Sequence, residues 1–325
     1  MRRTLVLPVA LLASLAVAAC PSEEGTPQPD PVVPLEPPPE SEGFQLEMLT
    51  TAPAGTEVWK CLVEEMPNTE VAAVNWVEYQ MTPGMHHMTL STPGLSADAG
   101  LDVGPGLHDC EDVYTGAFME NQIMFFGSQG EAESTLHLPD RVAATFPVGL
   151  TLVHEVHFVN TTTEDIDLYS RVNAWTIPES IVEDGIWGGS IRDENINLPA
   201  GEVTTEWSRC VFNQDVEVLF LASHQHAMGD LFEVRPFDGT DVGEVIFSND
   251  DWHDPKITQY DPPMVVPAGT GFEFTCTWDN TTDEHVTYGL TADDEMCNLA
   301  VVHTPFSITA ACEVVETSDG VLWDP

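Results

Sequence analysis

Three separated clusters of soft and imidazole ligands mark the chain: Met85-His86-His87-Met88, His154-Glu155-Val156-His157 and His224-Gln225-His226. Met296 follows late, inside Asp294-Glu295-Met296-Cys297-Asn298-Leu299. Imidazole suits several transition metals, but a thioether beside imidazoles selects copper, above all Cu(I), over zinc, magnesium or calcium. The chemistry open to such a set is electron transfer, oxygen activation or copper handling.

Side-chain direction in a strand limits which of these residues meet. Positions i and i+2 face the same way, so His224 and His226 converge while Gln225 points elsewhere. The run Leu219-Phe220-Leu221-Ala222-Ser223 predicts a buried strand feeding that clamp. A third ligand must come from far along the chain. Met296 is the candidate, and its competing role is a packed core methionine. His86 and His87 are adjacent and would leave a regular strand on opposite faces. Both reach one metal only if a bulge or strand end re-aims one of them, an irregularity that Pro83-Gly84 supplies; otherwise one is solvated. Glu155 and His157 share a face and His154 takes the other, so periodicity alone does not choose the metal-facing side. His108, His137, His253, His285 and His303 have no spacing that demands a metal and read as surface or hydrogen-bonded core residues.

The elements that must position these residues are short β patterns, such as Leu150–Phe158, Val216–Leu221 and Gly271–Cys276. They are rich in β-branched and aromatic residues and separated by Gly, Pro, Asn and Asp turns. No run of ten or more residues keeps a 3.6-residue period. The expected fold is all-β, two tandem antiparallel β-sandwiches of jelly-roll type. The boundary falls near 176–188, where the alternation breaks. That gives sandwiches over 44–182 and 183–325, the first two histidine clusters in one and the third with Met296 in the other. No internal repeat is evident by identity.

The first 19 residues, with Arg2-Arg3 and an apolar run from Leu5, read as a secretory signal peptide. Val17-Ala18-Ala19-Cys20 resembles a bacterial lipobox, which implies cleavage before Cys20 and a lipid on its thiol. The expected location is therefore outside the cytoplasm, anchored to a membrane at the periplasmic face or cell surface. Residues 20–43, rich in Pro and Glu, read as a disordered tether. The other six cysteines, an even number in an exported chain, imply disulfides, for which fifteen pairings exist. A formal net charge of −45, from 54 Asp and Glu against 9 Lys and Arg, makes nucleic acid an improbable partner and points to a surface that repels itself when salt is low. No feature specifies an oligomeric state.

His86-His87-Met88, the pair ending at His157, His224-x-His226 and above all Asp294-Glu-Met-Cys-Asn-Leu299 resemble the copper type II, ascorbate-dependent monooxygenases, in that family's order and over about residues 45 to 315. The resemblance implies two coppers per chain in separate mononuclear sites. His86, His87 and His157 would hold the electron-transfer copper. His224, His226 and Met296 would hold the catalytic copper, where O2 meets a C–H bond of a small organic substrate. Ascorbate or another one-electron donor would be the co-substrate. The resemblance also implies the disulfides Cys61–Cys110, Cys210–Cys312 and Cys276–Cys297, a structural or ligand-supporting place for His154 and, for Asn298, either a substrate hydrogen bond or a structural role. It breaks at Ala222 and Ala300, where the peptide-hydroxylating members place an Arg and a Tyr that hold a substrate carboxylate. The expected substrate is therefore neutral or cationic.

The rival readings are weaker. A non-catalytic copper-buffering lipoprotein would keep the ligands and lose turnover. A cupin would need a histidine after Pro267-Ala-Gly269 that is absent, and no Cys-x-x-Cys, Gly-x-Ser-x-Gly or phosphate-binding glycine loop occurs.

Overall fold

In the computed structural model the described residues are 33–94, 101–116, 118, 122–289 and 293–321. The expected signal peptide, Cys20 and most of the expected tether lie outside them. From Leu35 onward the chain is held to the first sheet: the Leu35 N–H donates to Gln80 Oε1 (3.0 Å) and Asn173 Nδ2 donates to the Glu36 carbonyl (2.8 Å).

The N-terminal half contains β1 (Gly43–Ala52), β2 (Glu57–Glu65), β3 (Ala72–Met81), β4 (His87–Thr92), β5 (Gly106–Asp109) and β6 (Ile123–Gln129). It continues through β7 (Glu133–His137), β8 (Val142–Phe146), β9 (Thr151–Val159), β10 (Ile166–Thr176) and β11 (Asp184–Gly185). One sheet runs β1-β10-β3-β8-β11 with β7 beside β3, the other β5-β2-β9-β4-β6. Leu46, Met48, Met81, Met88, Leu152, Val156 and Val172 fill the space between them. Strand β9 is buried on both faces. Leu152 and Val156 point into the sandwich, while Val153 joins Cys61, Val63, Cys110 and Val113 in a smaller layer outside it. That outer layer is what encloses Glu155.

The C-terminal half contains β12 (Trp187–Arg192), β13 (Asn197–Leu198), β14 (Val203–Phe212), β15 (Val216–His224), β16 (Gly229–Phe237) and β17 (Phe247–Asn249). It ends with β18 (Ile257–Val266), β19 (Gly271–Asp279), β20 (Val286–Thr287), β21 (Asn298–Thr304), β22 (Cys312–Thr317) and β23 (Gly320–Val321). Sheets β12-β21-β15-β18 and β17-β16-β19-β14-β22-β23 close on a second core. Its fully buried Phe232, Phe272, Phe274 and Trp278 each contribute about 2 to 3 kcal/mol relative to exposure. The fold is all-β, as the alternating patterns predict; among the described strand pairs β11 with β8 is parallel, and an isolated parallel bridge joins Tyr288 to Glu295.

The two halves share a turn device. After β9, Asn160 Nδ2 donates to the carbonyls of Ala52, Pro53 and Glu164; after β19, Asn280 Nδ2 donates to those of Leu198, Pro199 and Glu284. In both, the partner turn is Pro-Ala-Gly, with Gly55 and Gly201 at positive φ (66° and 72°), a conformation that favours glycine. An internal repeat therefore exists at the level of Pro53-Ala54-Gly55 with Pro199-Ala200-Gly201 and Asn160-Thr161-Thr162 with Asn280-Thr281-Thr282. Identity over longer windows hides it.

Candidate metal centres

Pairing of β4 with β9 sets His87 opposite His157 and Thr89 opposite Glu155, so these four side chains leave the sheet on one face. His86 reaches the same place by a turn. Met85 N–H donates to the Thr82 carbonyl (3.0 Å) across Pro83-Gly84, with Gly84 at φ 82°, the pattern of a type II turn. The irregularity foreseen before β4 is thus a strand end. Ligand nitrogens of His86, His87 and His157 lie within 4.8 Å of one another.

Hydrogen bonds decide which nitrogens are offered. His87 Nε2 is bound to Glu155 Oε1 (2.9 Å) and His157 Nε2 to Glu57 Oε1 (2.7 Å), leaving Nδ1 of each ring free for a metal. His86 Nδ1 stands 2.9 Å from His87 Nδ1. Two nitrogens bonded at about 2 Å to one ion fall roughly 3 Å apart, so this spacing fits a shared metal. Burial holds the His86 imidazole down at about 3, and the neighbouring His87, His157, His253 and His226 act in the same direction. The ring is neutral and able to ligate well into acid.

Glu155 is the organising group that the sequence left unassigned. Its buried carboxylate accepts from Trp59 Nε1 (2.6 Å), His87 Nε2, Thr89 Oγ1 (2.6 Å) and Tyr114 Oη (2.5 Å). Burial alone would raise its pKa, but the hydrogen bond and charge of His87, then Thr89 and Tyr114, outweigh it and hold Glu155 at about 2. The available signal was a carboxylate two residues before His157 in an otherwise apolar strand. His154 points the other way, into the sandwich, where Nε2 bonds Ser170 Oγ (2.7 Å).

In the second half β15 ends at His224, and His226 lies in the following turn, so the clamp is built at a strand end rather than inside a strand. The two rings sit 5.2 Å apart. His226 Nδ1 donates to the Asp294 carbonyl (2.9 Å), which leaves its Nε2 for a metal. Buried Glu295 clips the turn to the Met296 segment, accepting from the N–H groups of His226, Met228 and Met296 and from Trp278 Nε1. Disulfides join Cys61–Cys110, Cys210–Cys312 and Cys276–Cys297, and the last fixes the residue beside Met296. Asn298 lies opposite His224 in the β15–β21 register, and its Nδ2 donates to Met296 Sδ (3.1 Å). Burial holds His224 at about 3, with His226, His87, His86 and Arg192 adding to the effect. The two histidine clusters are therefore within electrostatic reach of each other.

The loop after β17 links the halves at the first cluster. Gln129 Nε2 donates to the Trp252 carbonyl (3.0 Å), and the Trp252 and His253 rings approach His86 at 6.2 and 6.3 Å. Of the remaining histidines, His137 stacks on Trp76 (4.8 Å), His108 bonds the Gly104 carbonyl (2.8 Å), His285 bonds Asn197 (2.6 Å) and His303 is buried.

Fold and site together define an all-β protein with two imidazole clusters, one of them tied to the Met296 segment through Glu295 and Asn298. Residues 193–323 match the family model described as copper type II ascorbate-dependent monooxygenase, C-terminal domain. The matched segment carries His224, His226 and Met296. No curated protein matches the chain. Among solved structures it is similar to the major capsid protein P2 of bacteriophage PM2 at 10% identity, covering 81% of this chain and 100% of that one, with a TM-score of 0.33. It is also similar to the PBSX exported protein XepA at 8% identity, covering 84% and 89%, with a TM-score of 0.20. Neither likeness carries an argument about fold or function.

Proposed function

We propose that the protein is a copper-dependent monooxygenase that hydroxylates a C–H bond of a small organic substrate, with O2 and a one-electron donor such as ascorbate. The reading assigns His86, His87 and His157 to an electron-transfer copper and His224, His226 and Met296 to the copper that meets O2. Copper bound there would supply one-electron chemistry and activation of O2.

The chain's own residues do the positioning. Glu155 and Glu57 fix His87 and His157 through Nε2 and keep Nδ1 aimed at the shared point. The Asp294 carbonyl turns His226 so that Nε2 faces out, and Glu295, accepting from the N–H of both His226 and Met296, ties the Met296 segment to that turn next to the Cys276–Cys297 bridge. A thioether favours the reduced ion, the form that must meet O2. The observation that carries the reading is the three-imidazole group of His86, His87 and His157, joined in one chain to the family's Met296-bearing domain. Export as a lipoprotein anchored at Cys20, and two sandwiches divided near residue 182, complete the proposal.

The test is O2 uptake by the Cu(I)-loaded chain with ascorbate across a panel of small substrates. Stoichiometric, substrate-dependent uptake with transfer of one labelled oxygen atom supports the monooxygenase. Uptake that no substrate alters favours the copper-buffering alternative.

A further inference from the structure

The substrate's chemical class can be read one strand away from the proposed oxygen-binding site; this inference rests on that site being a copper centre. In a chain of net charge −45 a cation without a carboxylate partner stands out. Lys60, Arg141, Arg171, Arg209 and Arg235 all sit in ion pairs. Among the described residues the exposed Arg192 makes no side-chain hydrogen bond or ion pair, and Lys256 is the other such cation. Only Arg192 is in strand register with the site.

The register is direct. Arg192 in β12 lies opposite Asn298 in β21, which lies opposite His224 in β15. Directly opposed residues leave the sheet on the same face, and three adjacent strands span about 10 Å, so Asn298 stands midway between guanidinium and imidazole. The Arg192 charge is felt at His224. Asn298 is only 7% exposed, and while its Nδ2 is used on Met296 Sδ, its Oδ1 is buried with no partner. An orphaned buried acceptor is a cost that a ligand's O–H or N–H removes. Two residues further along the same face, Ser190, Ala300 and Ala222 line up across the same strands, and all three are only partly buried.

From this arrangement we infer that Arg192 recognises the substrate, beside the Asn298 contact that the resemblance implies. Arg192 pairs with an oxyanion, in the simplest case a carboxylate. Asn298 Oδ1 accepts an O–H or N–H from the same molecule, whose body lies over Ala222 and Ala300 beside His224. The alanines that remove a carboxylate anchor from β15 and β21 therefore do not make the site neutral. The cation is supplied from β12, and this replaces the expectation of a neutral or cationic substrate. The acidic surface around it repels anions that lack the second contact, so selectivity comes from the pair.

The test compares 3-phenyllactate, which carries both groups, with 3-phenyllactamide, its neutral counterpart, by calorimetric titration of the copper-loaded full chain, wild type, Arg192→Gln and Arg192→Lys. Copper per chain is measured in each. The expected result is binding of the anion about tenfold tighter than the amide in wild type, the gain of one charge-assisted contact. That preference falls to within about twofold in Arg192→Gln and is partly restored in Arg192→Lys, with copper content unchanged. Equal affinity for the two probes in wild type, no binding of either, or a preference that survives Arg192→Gln overturns the inference while leaving the copper reading intact. Loss of copper from wild type would instead remove the reading on which it rests. Because Arg192 is exposed, neither substitution threatens folding.

Discussion

The Glu155 carboxylate stands 2.9 Å from His87 Nε2 and reaches the imidazole assigned to the proposed metal site from inside a layer that contains Trp59 and Tyr114. A buried carboxylate is tolerated there because four donors converge on it. It fixes the His87 tautomer, orients the ring and makes the ring a stronger donor.

Replacing that group isolates its role. Glu155→Gln removes the charge and leaves at least one of the four donors without an acceptor, so it should destabilise the chain by about 3 kcal/mol. The denaturant midpoint should fall, and copper affinity at the first cluster should fall with it, by 10- to 100-fold on the scale seen for such partners. An unchanged midpoint with unchanged copper affinity would mean that the carboxylate neither holds the layer together nor positions His87.

Acid should weaken the metal-free chain in two overlapping windows. His86, His154 and His224 are each held at about 3 by burial, against 6.5 when unfolded. The unfolded state therefore binds more protons below pH 6.5, and stability is lost as pH falls from there toward 3. Glu155, at about 2 against 4.5, contributes stability above pH 4.5 that is lost as pH falls through its folded pKa. Melting temperature recorded from pH 8 to pH 3.5 should drop steadily below about 6.5, and His154→Asn should flatten the drop. A flat profile down to pH 4 would contradict the buried neutral imidazoles.

Glu206 acts with the opposite sign. Burial raises its pKa to about 7, with Asp193 and Asp319 pushing the same way. The folded state prefers the protonated acid, so its contribution is favourable at low pH and is lost as pH rises from 4.5 through 7. Glu206→Gln should raise the melting temperature at pH 8 and change it little at pH 4.5. Equal shifts at both values would show that charge is not the cause.

Met296 can be separated from the histidines by oxidation state. Met296→Ile keeps the volume and removes the sulfur, so Cu(I) affinity at the second cluster should fall at least tenfold while Cu(II) affinity stays within a few-fold. The Asn298 amide also loses its acceptor. Equal Cu(I) affinity in wild type and variant would return Met296 to the role of a core methionine.

Much of the fold was legible because strand alternation and turn residues are local signals. Leu150–Phe158 and Gly271–Cys276 lie within the strands Thr151–Val159 and Gly271–Asp279, give or take a residue. Pro83-Gly84 allowed His86 and His87 to share a direction without requiring it, and the resemblance supplied both that grouping and the cysteine partners, since spacing alone left fifteen choices. Two kinds of feature stayed hidden. The role of Glu155 and the one inferred for Arg192 depend on cross-strand register, and that of Glu295 on loop contacts with His226 and Met228, non-local quantities that periodicity does not carry. The enclosure of β9 on both faces depends on the segment 101–116 folding over it. The internal repeat was readable in principle, in the paired Pro-Ala-Gly and Asn-Thr-Thr turns, but only through short motifs separated by strands that have diverged.

The most direct test of the two-site account is copper per chain after Cu(I) loading and desalting, in wild type, in His86→Ala/His87→Ala and in His224→Ala/His226→Ala. The account predicts two coppers in wild type and one in each double variant. One copper or none in wild type, or two retained in either variant, would contradict it.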